Sequence, residues 1–537
     1  MTLRYYTVLT LALTLPGPAL AQTTADTETT TATDIATATD APPSDQDPPA
    51  TPLPDMQAIV KAYQSGDFVT ARAGLARLAP AGTPNAKYRY GRILLEGRGG
   101  PRDLPEAVLW LSEAAADNHV AAAALLAQMY MDGAGVEKDP VRAVNLLQRA
   151  ATRGDAAAQF LLGTSYRTGY GTARNDETAF NWFLAAAEQD HAQAQFALSQ
   201  AYAKGRGVAE DQARALRWLE RAASNGLAPA QFYLGANIEA GSEGNTPDVP
   251  AALAWYRRAA EGGSPDAQRV LGTRYLQGTG VEQNSAEARR WLTAAAQAGD
   301  AGAMSNLGWA YATGTGVTVD DAVAFDWYQR ASDRGLARAM LALATFHEQG
   351  RGTPQDLRLA VRYYRKALEQ GSPGAAVRLG LLAARGRIDD LAAPQQAAPW
   401  VAAAATAGDD PALTWLETQA AGGVQQAQGL LADYYLAQDD GRTDQAIALF
   451  GQAAKGGDTF AQYRLGQLYA RGEAVEQDYV LAHKWYNVAA THGLTNAADR
   501  REVISQLMTP EQIAEAQGLA RIFFEEDAAR VPGAASE

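Results

Sequence analysis

The constraint that governs this chain is a period. Alanine returns every 36 residues at Ala122, Ala158, Ala194 and Ala230. A one-residue insertion near Gly241 shifts the series to Ala267, Ala303, Ala339 and Ala375. Ala86 before them and Ala427 and Ala461 after them bring the count to eleven copies. A period of this size means supersecondary units stacked into a solenoid. Each unit then touches only its neighbours, and stability accumulates along the array.

One copy shows the local physics. In residues 267–299, Ala267, Leu271, Gly272 and Tyr275 fall on one helical stripe. Gly278 and Gly280 break that helix and make a turn. Asn284, with Glu287 three residues on, predicts an N-cap and capping box for a second helix. Ala288, Trp291, Leu292, Ala295 and Ala296 form its apolar stripe, and Gly299 stands where a helix end wants positive φ. Each copy is therefore a helix–turn–helix hairpin.

The columns repeat these choices. Five residues after the opening alanine stand only Gly, Ala or Ser, from Gly91 and Gly163 to Gly380 and Gly466, as close backbone approach requires. Gly inside a helix costs roughly 1 kcal/mol against Ala, so packing must repay it. Trp110, Trp182, Trp218, Trp255, Trp291, Trp327, Trp400 and Trp485 form a column expected to fill the hairpin. Eight residues further on stand glycines, with Asn118 and Asp190 as the two exceptions. These are the other residues that tolerate the left-handed region, so backbone geometry selects that column.

The pattern A-x-x-x-L-G-x-x-Y-x-x-G-x-G-V, then W-[YL]-x-x-A-A-x-x-G, resembles the Sel-one-like repeat, a relative of the tetratricopeptide repeat, over residues 86–493. The resemblance implies an all-α, right-handed superhelical solenoid of antiparallel helix pairs that serves as a protein-binding scaffold. Periodicity alone gives a helical solenoid.

The ends depart from the period. Arg4, an apolar run from Tyr5 to Leu15 and the sequence Ala19-Leu20-Ala21 read as a signal peptide over 1–21, cleaved after Ala21. Residues 22–52 are mostly Thr, Ala, Asp and Pro, and such a leader cannot offset its ordering entropy. Residues 53–85 predict a tetratricopeptide-like cap, with Asp55 starting its first helix and Gly66-Asp67 turning the chain. Residues 494–527 predict capping helices, the second opened by Thr509-Pro510-Glu511-Gln512, and 528–537 a disordered tail. Inside the array, near 409–423, Asp410-Pro411 opens and Gly422-Gly423 closes a half-repeat that lacks its second helix.

Composition narrows the function. The chain has no cysteine, which excludes disulfides, thiolate metal sites and a cysteine lipid anchor. It also weighs against the cysteine-rich branch of this repeat family, to which β-lactam binding or hydrolysis is ascribed. Of the net charge of −14, the leader and the C-terminal forty residues carry most, leaving about −5 across 53–497. There is no basic stripe for nucleic acid and no basic amphipathic helix for a membrane surface. No later segment approaches 18 apolar residues, so membrane insertion of the mature chain is not expected.

Candidate chemistry is sparse. His119 and His191 fall at hairpin turns, and His347 in a column held by tyrosine in most copies. His483 and His492 are nine apart and share no helical face. No ligand spacing for a metal occurs. The G-x-G stretches, such as Gly133-Ala134-Gly135 and Gly205-Arg206-Gly207, follow helices rather than strands and lack G-K-[ST], so they read as turns, not phosphate loops. No nucleophile stands with a base, no cofactor is implied, and catalytic, metal and cofactor residues are expected to be none.

Two functions follow. The first is a non-catalytic, periplasmic or secreted scaffold that binds a protein partner through the concave surface of the array. The resemblance connects such scaffolds with envelope and polysaccharide pathways, periplasmic signalling and host contact. The second is a cell-wall or β-lactam-directed hydrolase of the same repeat family. Binding residues are unknown; the informative positions are expected to be the non-packing ones of the first helices, compared through Phe160, Ser165 and Arg167 in repeat three and Phe196, Ala201 and Lys204 in repeat four. These align only approximately, so they mark a surface rather than a site.

Overall fold

The computed structural model describes residues 54–241, 246–438 and 441–530. The expected signal peptide and leader lie outside the described residues. Two helices come first, α1 (Met56–Gln64) and α2 (Phe68–Leu78). Repeats one to three are the hairpins α3 (Pro84–Glu96) with α4 (Leu104–Ala116), α5 (Val120–Asp132) with α6 (Pro140–Ala151), and α7 (Ala156–Thr168) with α8 (Asp176–Ala187). Repeats four to six pair α9 (Ala192–Lys204) with α10 (Gln212–Ser224), α11 (Ala228–Ala240) with α12 (Val249–Glu261), and α13 (Pro265–Gln277) with α14 (Ser285–Gln297). Repeats seven to nine pair α15 (Ala301–Thr313) with α16 (Asp321–Ser332), α17 (Ala337–Gln349) with α18 (Leu357–Glu369), and α19 (Pro373–Ala384) with α20 (Pro394–Thr406). A single helix, α21 (Asp410–Ala421), precedes repeat ten, α22 (Gln425–Gln438) with α23 (Thr443–Lys455), and repeat eleven, α24 (Thr459–Arg471) with α25 (Tyr479–Thr491). Two helices close the chain, α26 (Thr495–Ser505) and α27 (Pro510–Arg530). Consecutive helices pack in order along an all-α, right-handed solenoid of antiparallel pairs.

A shared turn joins the two helices of most hairpins. Asp139 shows it: its N–H donates to the Tyr130 carbonyl at 3.0 Å, and its carboxylate accepts the Arg142 N–H at 2.8 Å. The same side-chain cap recurs at Asp103, Asn175, Asp211, Asp248, Asn284, Asp320, Asp356 and Asp478. At Asn284 the cap forms as expected, but the capping box does not. The Asn284 N–H is already bound by the Tyr275 carbonyl at 2.9 Å, and Glu287 turns to Arg290. The second glycine of each G-x-G turn rests on the preceding repeat. At Gly207, with φ +70°, a Cβ would stand 2.0 Å from the Asp176 carbonyl oxygen, so both backbone conformation and space demand glycine.

The small column also meets its close approach. A Cβ on Gly163 would lie 2.8 Å from the Phe183 ring and 3.1 Å from the Ala179 carbonyl oxygen. The partner there is the residue after the tryptophan, which corrects one expectation. Leu111, Leu147, Phe183, Leu219, Tyr256, Leu292, Tyr328, Tyr364, Val401, Phe450 and Tyr486 are buried and fill the hairpins. Most tryptophans of the neighbouring column are only half-buried. They lie one step around the helix, and Trp218 packs against a cluster that joins Ala179, Phe180 and Phe183 of the preceding hairpin to Leu198 and Tyr202 of its own. Their other face is covered by cations, with Arg221, Arg258 and Arg330 over Trp218, Trp255 and Trp327 at 4.7–4.9 Å. Burial of each hairpin residue contributes roughly 1.5–3 kcal/mol, and the tryptophans tie one repeat to the next. Asn118 and Asp190 adopt φ of 65° and 59°, as the glycine column requires.

The helix α21 stands alone, touching both α20 and α22, and α20 also touches α22 directly. Its cap is Asp409, whose carboxylate accepts the Ala412 N–H at 3.0 Å, and not Asp410, which is already helical. At the C-terminus Thr509 and Gln512 exchange hydrogen bonds at 2.9 and 3.3 Å, a complete capping box. The helix they open runs to Arg530, three residues beyond its expected end. Both α26 and α27 lean on α25, leaving a wedge of about 330 Å3 between them, lined by His483, Arg501 and Gln517.

Candidate binding surface

First helices of successive repeats approach one another along one side of the array. Asn306 on α15 donates to Thr273 on α13 at 2.8 Å, and Arg338 on α17 donates to Asn306 at 3.0 Å. Arg464 on α24 reaches Asp433 on α22 at 2.8 Å in the same way. The first helices therefore form the inner side, where a curved array presents its concave surface.

That surface changes character along its length. In repeats one to three, α3, α5 and α7 enclose a hollow of about 390 Å3. Leu95, Leu125 and Leu161 give it an apolar floor, and the Arg92–Glu96 ion pair at 2.7 Å flanks it. In repeats six to eight the surface is polar, built on Arg269, Thr273, Asn306 and Arg338. Out of that polar stretch rises Trp309 on α15, 42% exposed. An exposed indole on a concave surface is the residue type that dominates binding hot spots. Sequence reasoning passed over Trp309, although a tryptophan outside the packing columns is the signal that finds it.

The first-helix residues compared above divide. Ser165, Phe196 and Ala201 are buried packing residues, and Phe160 stacks on His191 at 5.0 Å. They belong to the core and not to a surface, because one turn of helix carries both the inner face and the interhelical seam. Arg167 and Lys204 remain outside that core, at the ends of α7 and α9.

The histidines are structural parts. The Nδ1 atoms of His119 and His191 accept the N–H groups of Ala122 and Ala194 at 3.2 and 3.3 Å, capping α5 and α9. His347 stacks on Tyr363 at 5.6 Å, and His492 bonds Gln462 at 3.0 Å. Burial lowers the pKa of His119, His191, His347 and His483 below the ordinary 6.5. A histidine lowered by folding stabilises the native state when neutral. That contribution is complete above pH 6.5 and is lost as pH falls below it. The melting temperature is therefore expected to fall between pH 7 and 5. A His119→Asn/His191→Asn variant, which keeps both caps without titrating, should show a shallower fall; an unchanged slope would contradict this account.

Comparison with known proteins places the chain. The sequence model of the Sel1 repeat matches residues 84–119, 120–155, 156–191, 192–227, 228–264, 265–300, 301–336, 337–372, 426–458 and 459–494. The chain belongs to the Sel1 repeat family. The ten matched segments leave out α19, α20 and α21, where the ninth hairpin and the lone helix stand. The protective antigen c5321 of uropathogenic Escherichia coli, of SLR fold, is 26% identical over 90% of this chain and 98% of its own, with a TM-score of 0.50. A Sel1 repeat protein from Oxalobacter formigenes is 32% identical over 46% of this chain and 99% of its own, with a TM-score of 0.43. None of the curated proteins matches the chain. Sel1 repeat solenoids are in general non-catalytic scaffolds for protein–protein interaction. No helix among the described residues is long and apolar enough to cross a membrane.

Proposed function

We propose that the chain is an exported, non-catalytic adaptor that holds a protein partner along its inner surface. The observation that carries this reading is the pairing of an apolar hollow at Leu95, Leu125 and Leu161 with an exposed indole at Trp309. Both are built on first helices: Leu95, Leu125 and Leu161 pack against the core and remain partly exposed in the hollow, and Trp309 is exposed. Export rests on the signal sequence, and the mature chain is expected to begin at Gln22. N-terminal sequencing of protein recovered from cells checks it; an intact Met1 would overturn export.

The scaffold reading is tested on partner affinity. Leu125→Ser and Trp309→Ala should each weaken a recovered partner at least tenfold. Trp309→Ala should leave the melting temperature nearly unchanged, since exposed substitutions usually stay within about 0.5 kcal/mol. Val503→Ser, on the exposed side of α26, serves as the control. Equal affinity in all three variants would remove the inner surface from the argument.

A further inference from the structure

In two of the repeats the last turn of the first helix, the hairpin-filling residue and the next first helix enclose a carboxylate in a niche. In repeat five the niche holds Glu239, which accepts the Tyr256 hydroxyl at 2.8 Å and pairs with Arg274 of α13. In repeat eight it holds Glu348, 9% exposed, which accepts from the Tyr364 hydroxyl at 2.6 Å and from Arg378 of α19 at 3.0 Å. Each of these niches thus encloses a carboxylate closed by an internal guanidinium.

Repeat three differs from these two repeats at every position, and it alone places an arginine where the other copies hold Glu, Leu, Met or Ala. Arg167 stands where Glu239 and Glu348 stand, and Phe183 replaces the tyrosine. The next first helix offers Ala197 and Ala201 where the others supply Arg378 and Arg274. Arg167 lies over the Phe183 ring at 5.4 Å and, among the described residues, makes no ion pair. Burial, and then the nearby Arg206, lower its pKa, yet a guanidinium stays charged.

Arg206 is the second cation of the cleft. Its counterpart in repeat eight, Arg351, grips Asp321 at 3.2 and 2.5 Å. The counterpart of Asp321 is Asp176, but Arg174 already binds both of its oxygens, at 2.7 and 3.3 Å. Arg167 and Arg206 therefore line, with Phe180, Phe183 and Gln200, a cleft whose one carboxylate, Asp176, is already held by Arg174. The cleft measures about 30 Å3. A partly buried cation without a counter-ion is costly unless something supplies the charge.

We propose that the cleft of Arg167 and Arg206 receives an acidic side chain of a partner protein, completing repeat three as Glu239 and Glu348 complete their own repeats. The protein source rests on the scaffold reading above; the cleft itself does not. The probe is a fluorescent, acetylated and amidated hexaglutamate peptide, with binding read by anisotropy at 0.15 M salt. Arg167→Met and Arg206→Ser should each weaken it at least tenfold. Arg174→Ser releases Asp176 to Arg206 and should weaken it several-fold. Arg358→Ser removes an equal charge at the exposed Asp390 pair and should leave affinity within twofold. Arg206 is exposed, so its variant keeps the test alive if Arg167→Met does not fold. No binding by the unaltered chain, equal loss in Arg358→Ser, or displacement by inorganic phosphate at lower concentration than by acetate would each overturn the proposal. Failure of the inner-surface variants to affect a partner, with the peptide result intact, would sink only the scaffold reading.

Discussion

Trp291→Ala is expected to destabilise the protein by about 3–5 kcal/mol, the range for truncating a large buried aromatic. Trp291 is 7% exposed, which places it with Trp485 as a fully buried member of its column. It shares a buried cluster with Ala252, Leu253, Tyr256 and Ala259 of the preceding hairpin and with Leu271 of its own. The cluster joins α14 to the hairpin before it as well as to α13, so much of the lost area belongs to a junction between repeats. Coupling in such an array runs between nearest neighbours. Hydrogen exchange should therefore rise most in repeats five and six and remain near its original level in repeats one and eleven. Uniform loss of protection along the array would contradict this. Trp218→Ala, at a half-buried member of the same column, should cost less, and a reversed order would show that the junction is not what the indole stabilises.

Gly380→Ala is expected to cost about 3 kcal/mol, the upper part of the range for overpacking. A Cβ there would stand 2.1 Å from the Trp400 carbonyl oxygen, 2.6 Å from its carbon and 2.9 Å from the Ala404 Cβ. Two of these atoms are backbone, so α19 and α20 must part. The loss exceeds the roughly 1 kcal/mol that alanine gains over glycine in a helix. Gly451→Ala on α23 isolates that gain, because nothing lies within 4 Å of its Cβ. It should stabilise slightly while Gly380→Ala destabilises; equal effects would refute the close approach. The ninth hairpin also explains its omission from the family match. In repeats one, three and five the glycine faces a carbonyl three residues before the tryptophan, that of Ala107, Ala179 or Ala252. In repeat nine it faces the carbonyl of the tryptophan position itself, and α20 carries Pro399 within it.

What was legible in the sequence was whatever the period samples many times. A column of small residues announces close approach, and Asn118 and Asp190 announce positive φ, because eleven copies average out local accidents. The tryptophan column was misread because two neighbouring apolar residues on one helix stripe look alike in sequence. Only packing decides which of Trp182 and Phe183 points into its own hairpin and which into the previous one. The capping box at Asn284 failed for a related reason. Its N–H was claimed by a carbonyl nine residues earlier, a competitor that motif spacing does not register. Singular features were the least legible. Trp309, and the arginines that replace an internal ion pair in repeat three, each occur once. Their meaning comes from comparison with sister repeats whose contacts are known.

The lone helix α21 sets the parity of the array. Short turns reverse the chain at each junction, so helices alternate in direction, and an odd helix exchanges the two senses for everything that follows. From Gln425 onward, first helices run as second helices ran before Thr406. A protein held along the first helices of repeats one to nine, as proposed above, would meet helices of the opposite sense in repeats ten and eleven.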